Sequence, residues 1–249
     1  MTVPFTTNAP GTRSGFVRGG LVAGMLAPLL FGVTVVGGGW LRPGFDQATT
    51  FVSELGETGS PTAWIVNPSF VLVGLLTSWF ALALQANAVA GGRTGVSAAF
   101  GGTVARLFGV VGAAFVLMAV WTCSSGCPIA VIDREAAPTD ALHNAAAIAA
   151  IASLCSAALL VATGLPACAT VPGWYRRYCT VSGAGVAVLS AVFLLCVLAA
   201  ANVAIGISER ALLLTGLAWI EVTAIVVTRW AAPERGAPDE AGRRPVRSS

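Results

Sequence analysis

The sequence predicts an all-α, polytopic membrane protein: a six-helix bundle with both termini cytoplasmic and two long outer loops. Three observations predict it. Composition comes first, with 56% hydrophobic and only 10% charged residues against roughly 25% charged in an ordinary soluble domain, and a mean hydropathy of +0.81. Second, six apolar runs approach the roughly 20 residues needed to cross a 30 Å hydrocarbon core at about 1.5 Å per residue. Third, the arginines are distributed unevenly between the connecting segments, which sets an orientation.

The runs lie at about 20–40, 62–84, 104–122, 141–163, 181–201 and 210–230, with ends uncertain by roughly 2–4 residues. Each is apolar all round, as a lipid-embedded helix is, and none alternates as a barrel strand would. With the N-terminus inside, eleven arginines fall on inner segments, and Arg42, Arg134 and Arg210 fall outside. Acidic residues run the other way, with Asp46, Glu54, Glu57, Asp133, Glu135, Asp140 and Glu209 outside. The expected organisation is a cytoplasmic tail over 1–18, one membrane domain over 19–231 and a disordered cytoplasmic tail over 232–249. The expected location is the plasma membrane. The net charge of +3 is therefore a topology signal and gives no nucleic-acid footprint.

In the first run, Gly20 and Gly24 form a GxxxG spacing and Pro28 interrupts the ladder, features expected in close helix packing. Then comes the polar stretch FVSELGETGSP, residues 51–61. Phe45, Ala48, Val52 and Leu55 have near-helical spacing, which suits a short interfacial helix that brings Glu54 to the bilayer surface. Ser60 is the expected N-cap of the second helix, with Pro61 at its first position. Trp64 falls at interface depth, and Asn67 precedes Pro68, where it either faces a cavity or satisfies the backbone that proline frees.

The third helix offers Gly109 and Ala113 as a packing face and ends in Cys-Ser-Ser-Gly-Cys-Pro, residues 123–128. Thr139 or Asp140 is the expected N-cap of the fourth helix, which places Asp140 and His143 on one face. Ala145, Ala149, Ser153 and Ala157 then make a small-residue seam. The inner loops, about 85–103 and 164–180, carry no motif, although Trp174, Tyr175 and Tyr178 beside Arg176 and Arg177 suit a headgroup-level anchor. Glu221 lies mid-span in the sixth helix, where an acid is either neutral or turned toward the bundle.

Chemically capable side chains gather in the two outer loops. Cys123 and Cys127 are a candidate disulfide, since they alone face an oxidising compartment. Zinc would need both thiolates, His143 and an acid such as Asp140, but the chain has one His and no paired C-x2-C, so no metal and no cofactor is expected. A hydrolytic triad can be drawn from Ser53 or Ser124 with His143 and Asp140, without a nucleophile elbow to support it.

The stretch SELGETGSP before helix two, CSSGCP after helix three, His143 entering helix four, and Gly206, Glu209 and Arg210 entering helix six resemble a family. It is the bacterial six-helix membrane family catalogued as domain of unknown function 998. The resemblance covers about Gly20 to Trp230 and implies no reaction. Where its members often carry an aspartate after the first Cys, this chain has Ser124, so no acid role transfers there. A more distant similarity, an S-[ED]-x-G segment before the second helix, is to the Frag1, DRAM and Sfk1 group.

The expected function is to hold a lipid headgroup or small amphiphile in an outward-facing pocket under the two outer loops. That pocket would be lined by Ser53, Glu54, Asn67, Asp140 and His143, with Arg210 on its rim. Membrane lipids are the expected partners. Binding and catalysis are both open at this level. The alternatives are a proton-coupled transporter or channel component using Glu221, and a non-catalytic accessory subunit.

Overall fold

The computed structural model describes residues 10–89, 98–129, 132–133, 135–164, 172–199 and 202–231. Residues 1–9 of the expected N-terminal tail and the expected tail over 232–249, together with Arg93, Arg134 and Cys168, lie outside the described residues. Six helices follow one another: α1 Pro10–Leu41, α2 Ala63–Val89, α3 Ala98–Val120, α4 Pro138–Gly164, α5 Gly173–Leu198 and α6 Asn202–Ala231. All six are long and apolar enough to cross a membrane. The chain is thus an all-α, multi-pass membrane bundle.

Each helix reaches a few residues past its apolar run, because hydropathy marks the hydrocarbon core while the backbone ladder continues into the interface. The largest corrections are at α1, α5 and α6. Helix α1 begins at Pro10, inside the expected N-terminal tail. Helix α5 begins at Gly173, so Tyr175 and Cys179 belong to a helix rather than a loop. Trp174 stays exposed as an anchor should, but Tyr175 is buried and donates its hydroxyl to Thr223 Oγ1 of α6 at 3.0 Å. Helix α6 begins at Asn202, which carries Glu209 and Arg210 about two turns inside it instead of at its mouth.

Chain neighbours pack side by side and α6 closes the ring onto α1. Where lipid is as apolar as the side chains, close backbone approach drives association, and the glycines show where it happens. A Cβ on Gly20 would sit 2.9 Å from Trp79 O, and one on Gly24 would sit 2.5 Å from Phe80. The expected GxxxG face of α1 therefore seats α2. Between α2 and α3 the close crossing is Gly74 against Gly112, not the expected Gly109, whose Cβ would lie 4.0 Å from Ala81.

Aromatic rings fill the centre. Phe31, Phe70 and Phe115 stack from α1, α2 and α3 with centroids 5.5–5.8 Å apart, and Phe80, Phe108 and Trp219 continue the column toward α6. Helix α5 is the outlier: its buried positions stop at Val186, and beyond it Val192, Leu194, Leu195 and Leu198 are exposed. That half of α5 runs beside the end of the bundle where the 42–62 loop sits, and Phe193 meets Phe51 of that first loop, centroids 6.3 Å apart.

Candidate functional site, a capped charge cluster at the loop end

The first loop folds onto the bundle as a cap. Phe45 and Ala48 lie in turns, and the regular element is a short 3-10 helix, Val52–Gly56, in place of the longer interfacial helix the spacing suggested. Val52, Leu55 and Gly56 are buried, which pins the turn to α1 and α2. A buried turn leaves backbone groups that must find partners, and the polar side chains of the loop end supply them.

Thr62, not Ser60, opens α2: the amides of Ile65 and Val66 bond to Thr62 O at 3.1 and 3.0 Å. Ser60 Oγ and Thr62 Oγ1 both donate back to Leu55 O, at 2.9 and 2.7 Å, and hold the 3-10 turn to the helix start. Asn67 donates Nδ2 to Gly56 O at 2.9 Å, so it neither lines a cavity nor serves the backbone freed by Pro68. Gly56 is there because a Cβ would strike the Asn67 side-chain oxygen.

Two loops are joined through Glu57, which is 4% exposed. Its Oε1 accepts from Arg42 Nη2 at 2.7 Å and its Oε2 from Gly126 N at 2.5 Å. Arg42 Nη1 also donates to Glu54 O. Thr58 N donates to Cys123 O at 2.9 Å, completing the seam. The turn that offers Gly126 N is tight: Cys123 and Cys127 are bonded with Cα atoms 5.0 Å apart, and both Gly126 and Cys127 have positive φ, 79° and 44°. Ser53 reaches this seam through its carbonyl, 3.9 Å from Cys123 Sγ.

Asp140 is fully buried and binds three donors, Ser124 N at 2.6 Å, Ser124 Oγ at 2.8 Å and Ala137 N at 2.8 Å. It sits in the first turn and reaches back to the start of α4, the carboxylate half of a capping box. His143 Nδ1 faces two carbonyls at the end of α3, Trp121 O at 2.9 Å and Met118 O at 3.2 Å. Carbonyls only accept, so Nδ1 carries the proton. Among the described residues, therefore, Ser124 bonds straight to Asp140 with no imidazole between them, and no group of three His, Cys, Asp or Glu converges on a metal position. Asp140 and His143 thus form a joint that ties the second loop and the start of α4 to the end of α3.

Arg210 and Glu54 belong to a separate group, with Glu209 bonded to the next amide of the cap. Glu209 Oε2 accepts Val52 N at 2.7 Å and Glu54 Oε1 accepts Phe51 N at 3.0 Å, so two carboxylates hold successive amides of the cap. Arg210 donates Nε to Gln47 Oε1 at 2.7 Å and Nη1 to Thr50 O at 2.7 Å and Gly206 O at 3.0 Å. Its guanidinium lies 5.4 Å from the Phe45 ring, with that of Arg42 at 5.7 Å from the same ring. Among the described residues, Arg210 Nη2 is buried and has no hydrogen-bond partner. Burial pushes the Glu54 carboxyl above its ordinary value, and Glu57 adds to the push, while the Phe51 amide, Arg42 and Arg210 pull it back.

The expected site thus divides: Glu54 and Arg210 come together, Asp140 and His143 form a second group, and Asn67 and Ser53 serve the backbone of the cap. Glu57 and Glu209, absent from the expected set, are the residues that organise it. Glu209 carries a legible signal, an acid next to an arginine with apolar residues on either side, which demands internal pairing. Glu221 is partly buried on α6, within electrostatic range of Tyr178.

No curated protein and no solved structure matches this sequence, so the distant similarity to Frag1, DRAM and Sfk1 is not shown. The family model described as protein of unknown function, DUF998, matches residues 25–226, most of the chain and every helix, and this six-helix membrane protein belongs to that family.

Proposed function

We propose that the chain holds the headgroup of a lipid or small amphiphile at its loop end, under the cap formed by the first loop. One observation carries the reading: among the described residues Arg210 Nη2 is a buried donor without a partner, and a buried donor left unsatisfied costs about 1–3 kcal/mol, more when its group is charged. A ligand acceptor at that point removes the cost. Phe51 and Phe193 with the exposed end of α5 offer the neighbouring acyl chain an apolar path from the bilayer. Asp140, His143, Ser124 and Glu57 hold the lid and need not touch the ligand.

The test is mass spectrometry of lipids co-purifying in native nanodiscs. A species retained by wild type and by His143→Ala but lost from Arg210→Gln and Glu209→Gln is expected; equal lipid profiles in all four would overturn the reading. A transport role centred on Glu221 has less support, because the level between it and the cap is filled by Phe108, Trp219 and Leu212.

The arginine distribution supports an orientation with both termini in the cytoplasm and the cap outside. Reporter fusions at the C-terminus and at residue 133 are expected to give cytoplasmic and external signals respectively, and the reverse pattern would refute the orientation.

A further inference from the structure

We infer that the headgroup taken by this site is zwitterionic, an ammonium joined through a short spacer to a phosphate or phosphate-like anion. The inference rests on the reading just given and adds the ligand's charge pattern. Three side chains hold consecutive backbone groups of the cap: Arg210 Nη1 donates to Thr50 O, Glu54 Oε1 accepts from Phe51 N, and Glu209 Oε2 accepts from Val52 N. Arg42 is excluded from this balance because it is paired with Glu57. The remaining group is one cation against two carboxylates. An anionic ligand alone would satisfy Arg210 Nη2 and leave both carboxylates facing it.

The unused valences are as informative as the charges. Glu54 spends Oε1 on Phe51 N and Glu209 spends Oε2 on Val52 N, and among the described residues the other oxygen of each accepts no hydrogen bond. Arg210 spends Nε and Nη1 on Gln47, Thr50 and Gly206, which leaves Nη2. The site therefore offers one buried cationic donor and two carboxylate acceptors. A phosphate oxygen pairs with the donor, and an ammonium with up to three N–H groups spans the acceptors. Among the described residues its other charged neighbours are acidic or already paired: Asp46 uses Oδ1 on Ala48 N, and Glu57 is bound to Arg42 and Gly126. The surplus of acid selects against a purely anionic headgroup by like-charge repulsion.

The test uses the full chain in detergent, titrated by calorimetry with four probes: dihexanoyl phosphatidylethanolamine, dihexanoyl phosphatidylglycerol, a hexyltrimethylammonium salt and free phosphoethanolamine. Phosphatidylethanolamine is expected to bind at least about tenfold more tightly than the glycerol lipid or the alkylammonium, a difference of about 1.4 kcal/mol. Glu209→Gln and Glu54→Gln keep an oxygen for the Val52 and Phe51 amides, so the cap stays in place, and each is expected to narrow the preference over phosphatidylglycerol. Binding of free phosphoethanolamine as tight as that of the lipid assigns the site to a soluble zwitterion, and weaker binding assigns it to the lipid; both support the charge pattern. Phosphatidylglycerol binding as well as phosphatidylethanolamine in wild type overturns the inference and leaves amphiphile binding standing. If none of the four probes binds, both fall.

Discussion

Glu54 and Glu57 lie three residues apart in one loop and have opposite fates. Glu57 is held by Arg42 and by Gly126 N, so both its oxygens have donors. Glu54 bonds one amide and is otherwise desolvated, and burial raises its carboxyl above the ordinary 4.5, against the opposing pull of Phe51, Arg42 and Arg210. The sign of the pH effect follows from linkage. A raised value means that the folded chain binds this proton more tightly than the unfolded chain. The contribution is fully present below 4.5 and is lost as pH rises through the folded value. Thermal unfolding in nanodiscs should therefore show wild type losing ground to Glu54→Gln as the pH is raised above 4.5; a wild type that gains on the variant contradicts the assignment. At this scale the sequence was only partly legible. It picks out Glu54, but no spacing rule decides which of two acids a loop arginine takes, and that choice made Glu57 the tie between loops.

The elements meet where backbone touches backbone, and the junction that positions the cluster is the first loop on α6. Ala48 O accepts Ile207 N at 3.1 Å, and a Cβ on Gly206 would lie 2.7 Å from that same carbonyl. Since the obstacle is backbone already held by Arg210 through Thr50 and Gln47, it cannot swing aside. Gly206→Ala should lower stability by about 1–3 kcal/mol, the usual range for overpacking, seen as a fall in melting temperature. Gly37→Ala, where nothing lies within 4 Å, is the control and should cause no loss. Equal behaviour of the two would show that the loop does not rest on α6. Helix existence was legible here because hydropathy reports lipid directly, as in the six apolar runs. Helix ends were not: α6 starts eight residues before its expected 210, across a stretch broken by polar residues such as Glu209, whose partners, like Val52 N, are in another segment. A window over one helix cannot see those partners.

At the scale of the molecule, a ring of helices with an aromatic centre supports a cap at one end, and the two loops divide the work. Asp140 ties the second loop to the start of α4, and His143 ties that start to the end of α3. The first loop, with Glu54, Glu209 and Arg210, carries the incompletely paired charges. The sequence drew attention to this end of the bundle because polar residues with chemistry cluster in two of its connecting segments. It could not separate side chains whose bonds are all taken from those with groups left over, since that depends on partners far away in the chain. Hydrogen exchange of segment 45–56 tests the claim that this cap closes over an amphiphile, comparing delipidated protein with protein refilled with total membrane lipid. Slower exchange at Phe51 and Val52 on refilling, lost in Arg210→Gln, is the predicted result. Exchange that is the same with and without lipid, in wild type as in the variant, would contradict it.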